Sequence, residues 1–250
     1  MRKPLIAGNW KMYKTPQESK AFLEAFLPLV AGHSRDDIAL FPSTTSLAHV
    51  LEAAAGSNVR VGAQNMHWLN EGPYTGETSP AMLAAIGCDH VLLGHSERRL
   101  YFGETSERVN LKLRAAISHG FTPVVCVGES LAERENSQTE AALREQVCIA
   151  LRNVTPNEVR KLVIAYEPVW AIGTGSIASV DTTAEAHAII RQELEHCLDK
   201  ETAEATRILY GGSVKPENVA AMMEHDGIDG ALVGGASLDP VVFAKVVQYA

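Results

Sequence analysis

The sequence predicts an α/β fold in which eight parallel strands close into a barrel surrounded by helices, the (β/α)8 architecture. Three observations lead to this prediction. Eight short apolar runs recur along the chain, longer stretches with helical periodicity separate them, and the length of 250 residues suits one such barrel. Because the apolar runs lack polar alternation, we expect strands that are buried on both faces, as in a parallel sheet covered by helices.

The strand candidates are short, and each is followed by a stretch that suits the return helix of a right-handed βαβ unit. In chain order they are PLIAGN, DIALFP, VRVGAQN, HVLLGH, TPVVCVGE, KLVIAYE, RILYGG and GALVGG.

The stretches between these runs carry apolar residues at helical spacing. In ESKAFLEAFLPLV we expect one buried face, and AEAHAIIRQELEHCL and PENVAAMMEHDG behave similarly. The expected face of the first helix consists of Ala21, Phe22, Ala25, Phe26 and Leu29.

A chain of this length could also form two ordinary domains, and an open doubly wound sheet is the competing architecture. However, no low-complexity stretch or Pro/Ser-rich linker marks a boundary, and no G-x-G-x-x-G follows the first strand. We therefore predict a single catalytic barrel domain over residues 1–250.

The composition excludes several classes of partner. A formal net charge of −8 argues against electrostatic binding of nucleic acid, which normally needs a basic patch. The net charge does not exclude a small anionic substrate, because a few local hydrogen-bond donors outweigh a distant negative surface. The apolar run in MRKPLIAGNWKM is too short for a signal peptide, and no run approaches the roughly 18 residues of a membrane span, so we expect no membrane partner.

The four cysteines, Cys88, Cys126, Cys148 and Cys197, are far apart in the sequence and form no C-x-x-C pair. This pattern fits reduced thiols in a cytoplasmic protein better than a disulfide framework or a zinc site. Neither a His-x-His pair nor a Cys/His cluster stands at the predicted strand ends, so we expect no metal.

Polar residues and glycines gather where the predicted strands end, which is the edge at which such barrels hold their functional groups. An amine, an imidazole and carboxylates stand there, and the final glycines leave room for an anion to approach backbone N–H groups. This combination indicates proton transfer on a small phosphorylated substrate. The residues are Asn9, Lys11, Gln64, Asn65, His95, Glu129, Glu167, Gly211, Gly212, Ser213, Gly234 and Gly235.

Five segments resemble, in order and spacing, the signature segments of triosephosphate isomerases: AGNWKM, LLGHSERR, IAYEPVWAIGTG, YGGSV and ALVGGASL. The resemblance extends from Leu5 to the last helix. It implies a TIM barrel, interconversion of dihydroxyacetone phosphate and D-glyceraldehyde 3-phosphate without a cofactor in glycolysis and gluconeogenesis, and a cytoplasmic homodimer.

The resemblance also implies catalytic roles. Glu167 would be the base that moves a proton between neighbouring carbons, with its pKa raised by partial burial. His95 would polarise the substrate carbonyl as a neutral imidazole, because the start of a helix lowers its pKa. Lys11 and Asn9 would contact the substrate oxygens, supported by Glu97 and Ser96. Without the motif, Glu167 would be interpreted as an ion-paired glutamate on a loop, His95 as a packing residue and Lys11 as a solvated surface lysine.

Binding of the substrate phosphate is assigned, again by resemblance, to Asn9, Lys11 and the backbone N–H groups of four further residues. A glycine pair after a strand would by itself more often be a tight turn. The four residues are Gly173, Ser213, Gly234 and Gly235.

The glycine-rich stretch after Glu167 is expected to be a lid that closes over the phosphate and excludes water. The family commonly has a basic residue and then Thr-Ala at the far hinge, whereas this chain has Ser-Ile-Ala, and we expect the β-branched Ile177 to stiffen that hinge. The lid residues are Pro168, Val169, Trp170, Ala171, Ile172, Gly173, Thr174, Gly175, Ser176, Ile177 and Ala178.

The segment QNMHWLNEGPYTGETS resembles the loop that inserts into a second subunit in this family. Gln64, Tyr74 and Thr75 are assigned to this dimer contact. Met66, Trp68 and Tyr74 are apolar enough to need burial, which favours a symmetric dimer over a mobile surface loop.

Two rival functions stay open. A Schiff-base aldolase would need a desolvated lysine at a central strand end, whereas the sixth strand ends in Glu167 and Lys11 lies near Asn9. A barrel that only binds sugar phosphates or a protein is expected to lack one of the three charged groups, and here all three are present.

Overall fold

The computed structural model describes residues 2–172 and 178–250. Its eight strands form a closed parallel barrel in which β1 pairs with β8, so the predicted architecture is confirmed. The strands are β1 Leu5–Asn9, β2 Asp37–Phe41, β3 Val59–Ala63, β4 His90–Leu93, β5 Thr122–Val127, β6 Val163–Tyr166, β7 Arg207–Tyr210 and β8 Gly230–Val233.

Helices follow the strands and cover the outside of the barrel. Short 3-10 helices span Pro156–Val159, Val169–Ala171 and Gly235–Leu238. No helix in the described part of the chain is long and apolar enough to cross a membrane. The α-helices are α1 Pro16–Val30, α2 Thr44–Ala53, α3 Pro80–Ala85, α4 Ser96–Phe102, α5 Ser106–Ser118, α6 Leu131–Glu135, α7 Thr139–Ala150, α8 Val180–Cys197, α9 Lys200–Ala205, α10 Pro216–Met223 and α11 Pro240–Val247.

The barrel has two apolar layers because successive side chains of a strand point to opposite faces. Ile6 points outward into the layer between strands and helices. The inner layer fills the barrel and consists of Leu5, Ala7, Ala39, Phe41, Leu92, Val124, Cys126, Val163, Ala165, Leu209 and Leu232.

The first helix shows that the sequence predicts the helix itself but its buried face only in part. Thr15 and Glu18 form a reciprocal capping box at its start. The buried stripe contains Phe22 and Phe26 as expected, but it continues through Leu23 rather than through Ala21, Ala25 and Leu29, which are exposed. The prediction was wrong for these three residues because neighbouring apolar residues allow more than one helical face, and packing against the barrel selects the face with Leu23.

His187 on α8 is a buried imidazole whose Nδ1 lies 3.0 Å from the carbonyl oxygen of Gly227. Burial lowers its pKa to about 4, although the Gly227 carbonyl partly opposes the shift. In the unfolded chain the histidine pKa is about 6.5. Between these values only the unfolded chain binds the proton, so acid favours unfolding.

The free energy of unfolding is therefore expected to fall as the pH drops from about 6.5 towards 4, by about 3 kcal/mol in total from this group. His187→Gln should remove this component, whereas His49→Gln at an exposed position should leave it intact. Denaturant titrations between about pH 7 and pH 5 measure the difference. An equal acid slope in the His187 variant and the parent would contradict the assignment.

Candidate active site

The carboxyl ends of the strands surround a cavity of about 720 Å³. It brings together most of the residues that the sequence placed at strand ends, from β1, β4, β6, β7 and β8. Its lining consists of Asn9, Lys11, His95, Glu167, Ile172, Gly211, Gly212, Ser213, Val214, Lys215, Pro216, Glu217, Leu232, Gly234, Gly235, Ala236, Val242 and Lys245.

Glu167 is the first residue after β6 and is only 2% exposed. Its backbone N–H donates to the carbonyl oxygen of Val127 at 2.7 Å, which fixes the strand end. One carboxylate oxygen, Oε2, accepts the backbone N–H of Ser96 at 2.8 Å, and Oε1 lies 2.8 Å from Nε2 of His95. The two central groups of the predicted site are therefore in direct contact.

Two glycines allow the Glu167 backbone and side chain to occupy this position. A Cβ atom at Gly128 would lie 1.7 Å from the carbonyl oxygen of Glu167, and one at Gly211 would lie 3.0 Å from Glu167 Cγ. Side chains at these positions would push β5 or β7 away from the carboxylate. The two glycines thus leave the space that Glu167 occupies.

His95 caps the N-terminus of α4. Its Nδ1 accepts the backbone N–H of Glu97 at 3.2 Å. Because Nδ1 is used as an acceptor, the neutral ring carries its proton on Nε2, the nitrogen that faces Glu167.

The pKa shifts of this pair differ from the expectations. Burial alone would lower the pKa of His95, but the charge and hydrogen bond of Glu167 outweigh it, so the pKa of His95 is raised. Burial alone would raise the pKa of Glu167, but contact with His95 and the Ser96 N–H outweighs it, so the pKa of Glu167 is lowered. Both expected directions were wrong, because the sequence could not show that the two side chains contact each other.

Lys11 lies just beyond β1, in a turn where its φ is +52°. Its Nζ forms an ion pair with Glu97 Oε1 at 2.7 Å, as predicted. Asn9 Oδ1 accepts the Lys11 backbone N–H at 3.0 Å, and the Gln64 amide donates to the Lys11 carbonyl oxygen at 2.8 Å. Three residues therefore hold the lysine and its strained backbone in place.

The glycine-rich corner of the cavity lies beside Lys11. Ser213, Gly234 and Gly235 all line it, and a Cβ at Gly234 would come within 3.4 Å of Lys11 Cε. Gly173, the fourth residue assigned to the phosphate, lies outside the described residues.

The described beginning of the predicted lid is anchored on Glu129. This carboxylate is fully buried, and its Oε1 accepts from Trp170 Nε1 at 2.8 Å and from the Tyr166 hydroxyl at 3.0 Å. Arg134 Nη1 lies 3.3 Å from the same Glu129 oxygen, and the Arg134 guanidinium lies 5.0 Å from the Trp170 ring centroid. The central lid residues 173–177, including Ile177 of the altered hinge, lie outside the described residues, and Ala178 beyond them is buried.

The loop assigned to a dimer contact projects from the barrel, and Tyr74 and Thr75 are exposed. Tyr74 packs its ring 4.2 Å from that of His67 in the same loop. Met66, in contrast, is completely buried within its own chain, and Trp68 packs against the core. The argument that these two residues need a second subunit was therefore wrong.

A different set of apolar side chains is exposed beside this loop, and sequence reasoning missed it. Met12 is 94% exposed and Phe102 is 67% exposed. Both border a second cavity of about 340 Å³, which is also lined by Lys11 and by residues 76–78. Further exposed apolar residues follow β1 or belong to α3, its C-cap and α4: Tyr13, Met82, Ile86, Leu100 and Tyr101.

Sequence reasoning also missed Arg99, which ties two strand ends together. Its guanidinium donates to the carbonyl oxygens of Gly94 at 2.8 Å and of Cys126 at 3.1 Å, and to the Ser106 hydroxyl at 3.0 Å. The Arg-Arg pair in GHSERR was the available signal, but nothing in it shows which arginine turns inward.

No cluster of three or more His, Cys, Asp or Glu side chains suited to a metal ion occurs among residues 2–172 and 178–250.

Comparison with known proteins places this site in a family. Residues 4–250 match the family model described as triosephosphate isomerase. The chain is 53% identical over 249 residues to the triosephosphate isomerase of Solibacter usitatus, with all of both chains covered. It is also 51% identical to the proteins of that name from Carboxydothermus hydrogenoformans, covering 99% of each chain, and Moorella thermoacetica, covering 100% of this chain and 99% of the relative. From the matched span and these identities, we conclude that the chain belongs to the triosephosphate isomerase family of enzymes.

Proposed function

We propose that this enzyme interconverts dihydroxyacetone phosphate and D-glyceraldehyde 3-phosphate, in glycolysis and gluconeogenesis, by proton transfer through an enediolate. The observation that carries the proposal is the contact of Glu167 with His95 in a cavity that also holds Lys11 and the glycine-rich corner. A carboxylate, an imidazole and a fixed cation are the groups this reaction needs, and no cofactor is required.

Glu167 acts as the base. Its lowered pKa keeps the carboxylate ionised at neutral pH, so it can accept a proton from C1 of dihydroxyacetone phosphate. The hydroxyl proton on O1 moves to O2 by way of His95, and Glu167 returns the carbon-bound proton to C2, so the aldehyde forms with no net gain or loss of atoms. Burial makes the ionised carboxylate poorly solvated, so its basicity rises once substrate displaces the contact with His95.

His95 acts on the substrate oxygens. Its Nε2–H points at Glu167 in the present state, and we place the substrate carbonyl oxygen at the position that Glu167 Oε1 occupies here. Donation from Nε2–H stabilises the negative charge that develops on this oxygen. The Nδ1 contact with the Glu97 N–H holds the required tautomer.

Lys11 and Asn9 supply fixed polar groups at the other wall of the cavity. The ammonium group of Lys11, held by Glu97, attracts the substrate phosphate and stabilises the enediolate. Ser213, Gly234 and Gly235, with Gly173 of the lid, bind the phosphate oxygens through backbone N–H groups. The lid closes from its anchor on Glu129 and keeps water from the intermediate.

The test is a coupled assay of glyceraldehyde 3-phosphate conversion on purified protein with EDTA present. Running the reaction in D₂O and examining the product by NMR distinguishes the mechanism. We expect turnover without added metal and deuterium on the carbon that receives the proton. Turnover with full retention of the substrate hydrogen would indicate hydride transfer and contradict the proposal.

The same samples separate the rival functions. An aldolase would form an imine with dihydroxyacetone phosphate, and borohydride would trap it as a stable mass increase on a lysine. A binding protein would retain substrate in equilibrium dialysis and show no turnover. Either result would overturn the isomerase assignment.

We also propose that the chain works as a homodimer in which Tyr74 and Thr75 of one subunit enter the second cavity of the other. The exposed face around Met12 and Phe102 borders that cavity, and Lys11, His95 and Glu97 form its inner wall. An inserted loop would bury the apolar face and support the Lys11 turn.

Thr75→Arg is expected to produce a folded monomer with about 100-fold lower kcat, because a bulky charge blocks insertion and Lys11 loses its support. Sedimentation equilibrium at roughly micromolar protein measures the assembly. Ala141→Arg, on the exposed side of α7, is the control and should remain dimeric and active. A parent protein that is monomeric and fully active at that concentration would refute the dimer.

A further inference from the structure

Cys148 and Cys197 lie 49 residues apart in the sequence, yet their Sγ atoms are 2.8 Å apart in the structure. Cys148 belongs to α7 and Cys197 is the last residue of α8. All four cysteines are free thiols here. Cys88 and Cys126 are buried, whereas Cys148 and Cys197 are partly exposed and therefore accessible to small reagents.

A second contact fixes the register of the two helices. Arg144, four residues before Cys148, donates from Nε to Oε1 of Glu193 at 2.8 Å, and Glu193 stands four residues before Cys197. Two side-chain contacts, Arg144 with Glu193 and Cys148 with Cys197, thus join the helices one helical turn apart. The other carboxylate oxygen of Glu193 lies 3.7 Å from Cys148 Sγ, so this sulfur is held between the carboxylate and the second thiol.

We propose that Cys148 and Cys197 form a site of reversible oxidation that a hydroperoxide converts to an intrachain disulfide, stapling α7 to α8. The pair stands at the ends of both helices, which is the face of the barrel where the strands begin. The active site lies at the opposite face. The disulfide therefore raises the stability of the fold and leaves turnover unchanged.

The chemistry balances with one equivalent of hydroperoxide. Cys148, as thiolate, attacks the peroxide oxygen, becomes a sulfenic acid and releases hydroxide (or alkoxide), which takes up the proton that Cys148 lost. Cys197 then attacks the sulfenic sulfur, the S–S bond forms, and its proton leaves with the displaced hydroxide as water. Burial, followed by contact with Cys148, raises the pKa of Cys197 to about 12, so Cys197 keeps its proton until the second step.

The test treats reduced protein with hydrogen peroxide, alkylates the remaining thiols and measures intact mass, peptide linkage, melting temperature and turnover. We expect a loss of two hydrogen atoms per chain, a Cys148–Cys197 peptide, and reversal by dithiothreitol. The melting temperature should rise by about 5–10 °C, because the bond constrains the long loop in the unfolded chain. Turnover should not change.

Cys148→Ser and Cys197→Ser should each lose both the mass change and the temperature rise. Cys88→Ser, at a buried thiol whose pKa burial raises to about 11, should keep both. Oxidised parent protein in which Cys148 and Cys197 are still alkylated, or linked to another chain, would overturn the proposal. A Cys148–Cys197 bond with an unchanged melting temperature would refute the stapling of the two helices.

Discussion

Replacing Glu167 with glutamine is expected to lower kcat by about 10³-fold, equivalent to about 4 kcal/mol of transition-state stabilisation. The amide has the volume of the carboxylate and can still accept the Ser96 N–H, but it cannot take a proton from carbon. KM should change far less, because Lys11 and the glycine-rich corner are untouched. Steady-state kinetics in the coupled assay measure both constants.

Glu217→Gln is the matched control for this experiment. Glu217 is exposed and lines the same cavity, so the variant changes the local charge equally without touching His95 or Ser96. Its kcat should stay within about threefold of the parent value. If Glu167→Gln kept more than about a tenth of the parent kcat, the base would have to be another group.

Replacing Gly128 with alanine is expected to lower stability by about 3 kcal/mol or more, and thus the melting temperature by about 6–12 °C. The added methyl group would overlap the backbone carbonyl of Glu167, which cannot rotate away as a side chain could. Relief requires β5 and β6 to separate, so Glu167 also moves relative to His95. We therefore expect a fall in kcat of about 100-fold in the protein that still folds. Calorimetry and the coupled assay measure the two effects.

Gly32→Ala is the control, because a Cβ at Gly32 meets no atom within 4 Å. This variant should be neutral or slightly stabilised, since alanine restricts the unfolded chain more than glycine does. Equal melting temperatures for Gly128→Ala and Gly32→Ala would show that the strands absorb the overlap without cost.

The sequence was sufficient for the barrel because nearly all strand residues are buried on both faces, so each strand is dominated by apolar residues; Arg60 of β3 is an exposed exception. It was also sufficient for the strand-end residues, since the direction of a parallel strand decides which end faces the cavity. It was less informative about α1, where several neighbouring apolar residues allow more than one helical face. Composition cannot choose among such faces, whereas packing against the barrel does.

Most contacts between residues that are far apart in the sequence could not be predicted from it. The direct contact of Glu167 with His95 reversed both expected pKa shifts, and the burial of Met66 depends on the path of its own loop. The pairing of Lys11 with Glu97 was predictable, but only through the family resemblance. The approach of Cys148 to Cys197 had no sequence signal, because it depends on the register between two helices.

The contact between Glu167 and His95 also has a consequence for affinity. In the proposed reaction a substrate oxygen must take the place of the carboxylate oxygen at His95 Nε2, so the empty enzyme already holds an intramolecular competitor. The measured binding free energy of a carbonyl ligand is then the difference between two contacts with His95 Nε2, the one that the ligand makes and the one that Glu167 loses. It therefore understates the strength of the contact between the ligand and His95. Part of the energy of the bound phosphate is spent on displacing this competitor, and the displaced carboxylate is left poorly solvated beside the carbon that it must deprotonate.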